Sequence, residues 1–133
     1  MKNENIFIVI DDDPVNNFLS KVIIRKVLPE AIVYEFTQPI EALEFIQSDN
    51  ESHELITLFL DINMPIVDGW GFLERFKLLD AHLIEKIDIY MLSSSLDERD
   101  KIKAKSYKSV QDYIQKPLTM EGVELIASKG KAA

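Results

Sequence analysis

The sequence predicts a three-layer α/β fold, a five-stranded parallel sheet covered by five helices. Five short apolar runs alternate along the chain with amphipathic segments, the pattern of strands joined by crossover helices on both faces of a sheet. The runs are apolar without interruption, as strands buried on both faces must be. In order, Ile6 to Ile10 is the first strand. Asp13 then caps a helix and Pro14 opens it, with Val15, Phe18, Leu19, Val22 and Ile23 expected to face inward. Ala31 to Phe36 is the second strand, and Pro39 opens a second helix with Ala42, Leu43 and Ile46 inward, closed by polar residues 48–54. Leu55 to Leu60 is the third strand, ending at Asp61. The loop Ile62 to Gly69 leads to a third helix using Phe72, Leu73, Phe76 and Leu79. Ile87 to Leu92 is the fourth strand. Three serines follow it, and Ser95 with Glu98 has the spacing of a capping box that starts the fourth helix. Val110 to Ile114 is the fifth strand, and Thr119 caps a short last helix expected to end at Ser128.

The 133 residues contain no repeat, low-complexity stretch or Gly/Pro-rich linker, so the expectation is one domain over 1–133. With 47% hydrophobic and 29% charged residues the chain can build a core, which excludes disorder. Fifteen Lys and Arg against 23 Asp and Glu give a formal charge of −8, which argues against general nucleic-acid binding. The absence of cysteine excludes disulfides, thiolate zinc sites and cysteine nucleophiles. The first apolar run is too short for a signal-peptide core or a membrane span, so a cytoplasmic protein without membrane contact is expected.

Open parallel sheets bind ligands beyond the carboxyl ends of their strands, where the strand order reverses. Here those ends are polar: Asp11-Asp12-Asp13 after the first, Asp61 after the third, Ser93 after the fourth and Lys116 after the fifth. With strand order 2-1-3-4-5, Asp11, Asp12 and Asp61 meet in one cleft, with Ser93 and Lys116 on its far side. Close carboxylates repel, so they hold protons or bind a cation. Oxygen donors without His or Cys favour a small hard ion, of which Mg²⁺ fits best. A carboxylate beside such an ion can attack phosphorus, with Lys116 and the Ser93 hydroxyl contacting the phosphoryl oxygens. The chemistry that fits is phosphoryl transfer onto an aspartate.

The chain resembles a response-regulator receiver domain of two-component signalling, roughly over Ile6 to Ala127. The resemblance rests on Ile-Asp-Asp-Asp-Pro at 10–14, Leu-Asp-Ile-Asn-Met-Pro at 60–65 with Asp68-Gly69, Met-Leu-Ser-Ser at 91–94 and Tyr-Ile-Gln-Lys-Pro at 113–117. Each is weak alone; four in order, each at a strand end, are specific. The resemblance implies a flavodoxin-like fold in which Asp61 accepts phosphate from the phosphohistidine of a sensor histidine kinase or phosphotransfer protein. It implies Asp12 as a direct Mg²⁺ ligand, Asp11 acting mainly through water, and the Asn63 backbone carbonyl as a further ligand. Ser93 becomes the switch hydroxyl, with Ser94 the competing choice in the serine run. Tyr113 becomes the aromatic that turns inward, and Lys116 pairs with the phosphoryl group, before a cis bond to Pro117. Asn63 and Ser95, two positions past the acceptor and the switch, are implied to tune the phosphate lifetime.

Three functional readings follow. The first is a phosphorylation-operated switch that catalyses its own phosphorylation and slow dephosphorylation, altering partner binding at the face of the fourth helix and fifth strand. The second is a pseudo-receiver that only binds proteins, against which Asp61, Asp12 and Lys116 all count. The third, a metal-dependent phosphatase, needs an acid at position 63, where Asn stands. His53 and His82 have no partner spacing and read as surface residues. Arg99, Lys101, Lys103, Lys105 and Lys108 form a basic stretch on the fourth helix, a solvated face or a docking surface. Ile24, apolar beyond the inward stripe of the first helix, is a candidate kinase contact. Ser109 stands where many relatives carry glycine, so the turn there must be built differently or with strain. The chain ends a few residues past the last helix, which suggests a stand-alone receiver or part of a longer protein; its output partner and any homodimer stay open.

Overall fold

A computed structural model describes residues 5–48, 55–94 and 97–132. Its five strands are β1 (Ile6–Ile10), β2 (Ile32–Phe36), β3 (Ile56–Asp61), β4 (Ile87–Ser93) and β5 (Val110–Gln115). All four pairings are parallel and the order is β2-β1-β3-β4-β5, as expected. Six helices are described rather than five: α1 (Pro14–Val27), α2 (Pro39–Ser48), α3 (Gly69–Phe76), α4 (Ala81–Glu85), α5 (Glu98–Lys105) and α6 (Met120–Ala132).

Two apolar layers enclose the sheet because successive strand residues point to opposite faces. Ile8, Ile10, Leu58, Leu60, Ile89 and Met91 pack with Ala42, Leu43 and Ile46 of α2, Phe72, Leu73 and Phe76 of α3, and Ala104 of α5. Phe7, Val9, Phe59, Tyr90 and Leu92 pack on the other side with Ile24 of α1 and with Val123 and Ile126 of α6.

Several expectations are corrected. Helix α1 meets the expectation only in its second half: Ile23 packs against the core, but Val15, Phe18 and Leu19 are more than half exposed, while Asn17 and Ile24 are its buried residues. Ile24 is therefore core, and unavailable to a partner. The expected third helix ends at Phe76, short of Leu79, where the Leu78 and Leu79 N–H groups close tight turns onto the Arg75 and Phe76 carbonyls (3.1 and 3.0 Å), and the short helix α4 was not expected. Helix α5 starts after Asp97, whose carboxylate accepts the Arg99 N–H at 2.9 Å, so the cap is Asp97; Ser95 lies outside the described residues. Thr119 does cap α6, its Oγ accepting from Gly122 N–H at 3.0 Å, but the helix runs to Ala132 rather than Ser128. Ser109 needs no left-handed backbone, since the turn closes through Ser106 N–H to Lys103, Tyr107 N–H to Ala104 and Val110 N–H to Tyr107. His82 is exposed, as expected; His53 and the rest of 49–54 lie outside the described residues.

Candidate functional site

Parallel pairing aligns the carboxyl ends of β1, β3, β4 and β5 along one edge, and the polar residues foreseen there come together. Asp61 ends β3 and is only 4% exposed. Asp11, one residue past β1, is buried as well, while Asp12 faces solvent. One carboxylate oxygen from each of Asp11, Asp12 and Asp61 lies within 4.8 Å of the others. The Lys116 ammonium spans two of them, donating to Asp11 Oδ2 at 2.8 Å and lying 3.1 Å from Asp61 Oδ1. Lys116 is held by its backbone too, its N–H donating to the Ser93 carbonyl at 2.7 Å, and its bond to Pro117 is cis. Ser93 ends β4 in a buried position and Ser94 is exposed. Asn63 is exposed on the loop and its backbone N–H serves the Asp61 carboxylate. Tyr113 on β5 is half-buried against the α2–α5 side of the core.

Local devices fix this arrangement. Asp13 caps α1 by accepting the Val15 N–H at 2.9 Å, and Asp11 Oδ1 accepts the Asp13 N–H at 2.9 Å. Asp68 caps α3, accepting from Gly71 N–H at 2.9 Å. Gly69 lets α3 start against the end of β3: a Cβ there would sit 2.8 Å from the Asp61 carbonyl oxygen and 2.9 Å from Ile62 Cα. Between these anchors Ile66 occupies the centre of a tight turn, closed by Val67 N–H to the Pro65 carbonyl at 2.7 Å. Its φ of 68° is rare for a β-branched residue, and its side chain is fully exposed.

Burial pushes the Asp61 carboxyl above the ordinary value of 3.8, opposed by the hydrogen bond from Lys116 and reinforced by the charge of Asp11. For Lys116 burial works against the charged form, but the bonds to Asp11 and Asp61 outweigh it and hold the ammonium above its usual range. With its folded value raised, Asp61 favours the fold most below about pH 3.8 and loses that contribution as pH rises through the folded value. At neutral pH and without divalent ions, Asp61→Asn is thus expected to raise the melting temperature. The gain should shrink near about pH 3. An unchanged or lower melting temperature at neutral pH would contradict the account of Asp61 as a strained charge.

Three carboxylates converging without His or Cys form a donor set suited to a small hard cation, with room for water ligands on the exposed side of Asp12. Two features escaped the sequence reading. One is Asn17, buried behind the site, and the other is a polar–aromatic clasp between α3 and α5. In the clasp Trp70 stacks on Tyr107 (centroids 6.2 Å apart), Lys103 sits 4.5 Å above the Trp70 ring, and the Tyr107 hydroxyl donates to Glu74. That bond to Glu74 is the main reason the Tyr107 hydroxyl is pushed up to about 12. Lys103 thus has an aromatic partner, and Arg99 and Lys101 pair with Asp97 and Glu98, so much of the expected basic stretch is engaged locally.

The sequence profile of the response regulator receiver domain matches residues 7–127. The chain belongs to this family. Among solved structures, the receiver resembles a two-component response regulator from Cytophaga hutchinsonii at 29% identity and a TM-score of 0.89, covering 99% of this chain and 100% of that one. It also matches a response regulator receiver protein from Dyadobacter fermentans at 22% identity and a TM-score of 0.85, over 93% and 95% of the two chains, a likeness of fold alone. A curated relative, the cyclic di-GMP phosphodiesterase response regulator RpfG of Xanthomonas campestris pv. campestris, is 29% identical over 111 residues. The match takes in 84% of the receiver sequence and spans 28% of that relative's length. Among the described residues no helix is long and apolar enough to cross a membrane.

Proposed function

We propose that this receiver, occupying residues 1–133 as one domain, is a phosphorylation-operated switch with Asp61 as phosphoacceptor. The observation that carries the reading is the convergence of the buried Asp61 with Asp11, Asp12 and the ammonium of Lys116 at one strand edge. Asp11, Asp12, Asp61 and the Asn63 backbone carbonyl would hold Mg²⁺, Asp11 mainly through water. When bound, the ion supplies charge neutralisation for the phosphoryl oxygens and for the crowded carboxylates.

An Asp61 oxygen forms the new bond to phosphorus while the bond from phosphorus to the imidazole nitrogen of the donor breaks, the electron pair leaving with that nitrogen. Lys116 keeps Asp61 ionised and ready, then transfers its hydrogen bond to a phosphoryl oxygen. The Ser93 hydroxyl, with Ser94 as the alternative, donates to a second oxygen and draws the end of β4 inward, and Tyr113 fills the space this opens. Asn63 and Ser95 tune the rate of slow hydrolysis. The added charge of about −1.5 to −2 biases the α5–β5 face and so changes affinity for a downstream protein. A sensor histidine kinase or phosphotransfer protein in the cytoplasm is the donor. The exposed Val15, Phe18 and Leu19 beside the site suit a protein donor that packs against α1.

The test is intact mass after incubation with acetyl phosphate, with Mg²⁺ or with chelator, beside Asp61→Asn. The expected result is one added phosphoryl group that requires both Mg²⁺ and Asp61. No addition, together with no Mg²⁺ binding in a direct titration, would favour a pseudo-receiver that acts only by binding proteins.

A further inference from the structure

Asn17 is 1% exposed, on a helix whose Val15, Phe18 and Leu19 are left in solvent. Its Nδ2 donates twice, to the Asp11 carbonyl at 3.1 Å and to the Phe36 carbonyl at 2.9 Å. The Phe36 carbonyl also accepts the Asp11 N–H at 3.1 Å. One amide therefore ties the carboxyl ends of β1 and β2 together where the main chain leaves the sheet and carries Asp11 and Asp12 into the carboxylate cluster. The other half of the amide gains nothing: among the described residues, Asn17 Oδ1 is the buried side-chain polar atom without a hydrogen-bond partner.

An orphaned acceptor costs the fold the desolvation of that oxygen. A leucine would remove the orphaned oxygen but also both donors, and would take from the Asp11 carbonyl the bond that Asn17 gives it. What the amide supplies is the placement of its two donors on the Asp11 and Phe36 carbonyls. The Asp11 carbonyl belongs to the peptide that sets the direction in which Asp12 departs. With that carbonyl held, Asp11 and Asp12 can aim their carboxylates at the same point as Asp61. Without it, the peptide is free to rotate and the two aspartates separate under their own repulsion.

We propose that Asn17 is a positioning residue for the divalent-cation site, acting through the Asp11 carbonyl and touching neither ion nor phosphoryl group. The inference rests on the reading of Asp11, Asp12 and Asp61 as that site. The experiment is a calorimetric Mg²⁺ titration of the full chain and of Asn17→Leu and Asn17→Ser, well below their melting temperatures, with thermal unfolding recorded for each. The expected result is a cooperative melt for all three, with the Mg²⁺ dissociation constant raised about tenfold in Asn17→Leu and by less in Asn17→Ser, which keeps a donor hydroxyl. If Asn17→Leu fails to fold, Asn17→Ser decides by the same comparison. Folded variants that bind Mg²⁺ as tightly as the unsubstituted chain would overturn the positioning role and leave the cation site standing. An unsubstituted chain that binds no Mg²⁺ would overturn both.

Discussion

Replacing Lys116 with methionine is expected to slow phosphoryl uptake from acetyl phosphate by about 100-fold, the usual scale for losing one charged donor to a transition state. Two effects add. The ammonium that would meet a phosphoryl oxygen is gone, and so is the hydrogen bond that holds the Asp61 carboxyl down against burial and the charge of Asp11. Asp61 then moves further upward, and less of it is ionised at a given pH. The deficit should accordingly narrow as pH rises, because raising pH restores the carboxylate but cannot restore the donor. Mg²⁺ binding should change in the opposite direction. Lys116 occupies two of the three carboxylates as a competing cation, so at mildly alkaline pH its removal is expected to tighten the ion roughly threefold to tenfold, from the lost competition at close range. A variant that is phosphorylated at the normal rate would remove Lys116 from the chemistry.

Gly69→Ala is expected to destabilise the fold by about 2–3 kcal/mol, the cost of overpacking a tight site, and to lower the melting temperature by about 10 °C. The added methyl would meet backbone, the Asp61 carbonyl oxygen and Ile62 Cα, rather than a flexible side-chain end that could swing aside. Either α3 retreats from the strand or the end of β3 shifts, and the second response displaces the acceptor itself. Thermal unfolding measures the first quantity, and phosphorylation by acetyl phosphate at a temperature where the variant is folded measures the second. A melt identical to that of the unsubstituted chain would mean that the close approach at Gly69 has slack.

The strand ends were legible in the sequence because buried parallel strands are apolar throughout, so Asp11, Asp61, Ser93 and Lys116 stand out where each run stops. Given the sheet order, their convergence followed, and the structure places them at one edge. The face of α1 was not legible. Apolar residues at Val15, Phe18, Leu19, Val22, Ile23 and Ile24 allow more than one stripe, and the choice fell to Asn17, whose amide answers strand-end carbonyls that no pattern along the helix reports. The division of α3 from α4 and the extent of α6 depended on turn closure at Leu78 and Leu79 and on packing of Val123 and Ile126, which are tertiary matters. The pairing of Trp70 with Tyr107 joins segments far apart in sequence, and neither residue announces the other.

The clasp has a mechanical consequence. Helix α5 sends one residue, Ala104, into the buried core, and its Ile102 lies in solvent. Its further ties are Lys103 over Trp70 and, just beyond the helix, Tyr107 against Trp70 and Glu74. With one side chain in the core, α5 depends in part on charge and ring contacts at the surface, which act weakly and reversibly. The clasp meets β5 at its start, where the Tyr107 carbonyl accepts the Val110 N–H, whereas Lys116 follows the strand's other end. Trp70 is also the only tryptophan in the chain, so its emission is expected to report on whether the clasp is closed.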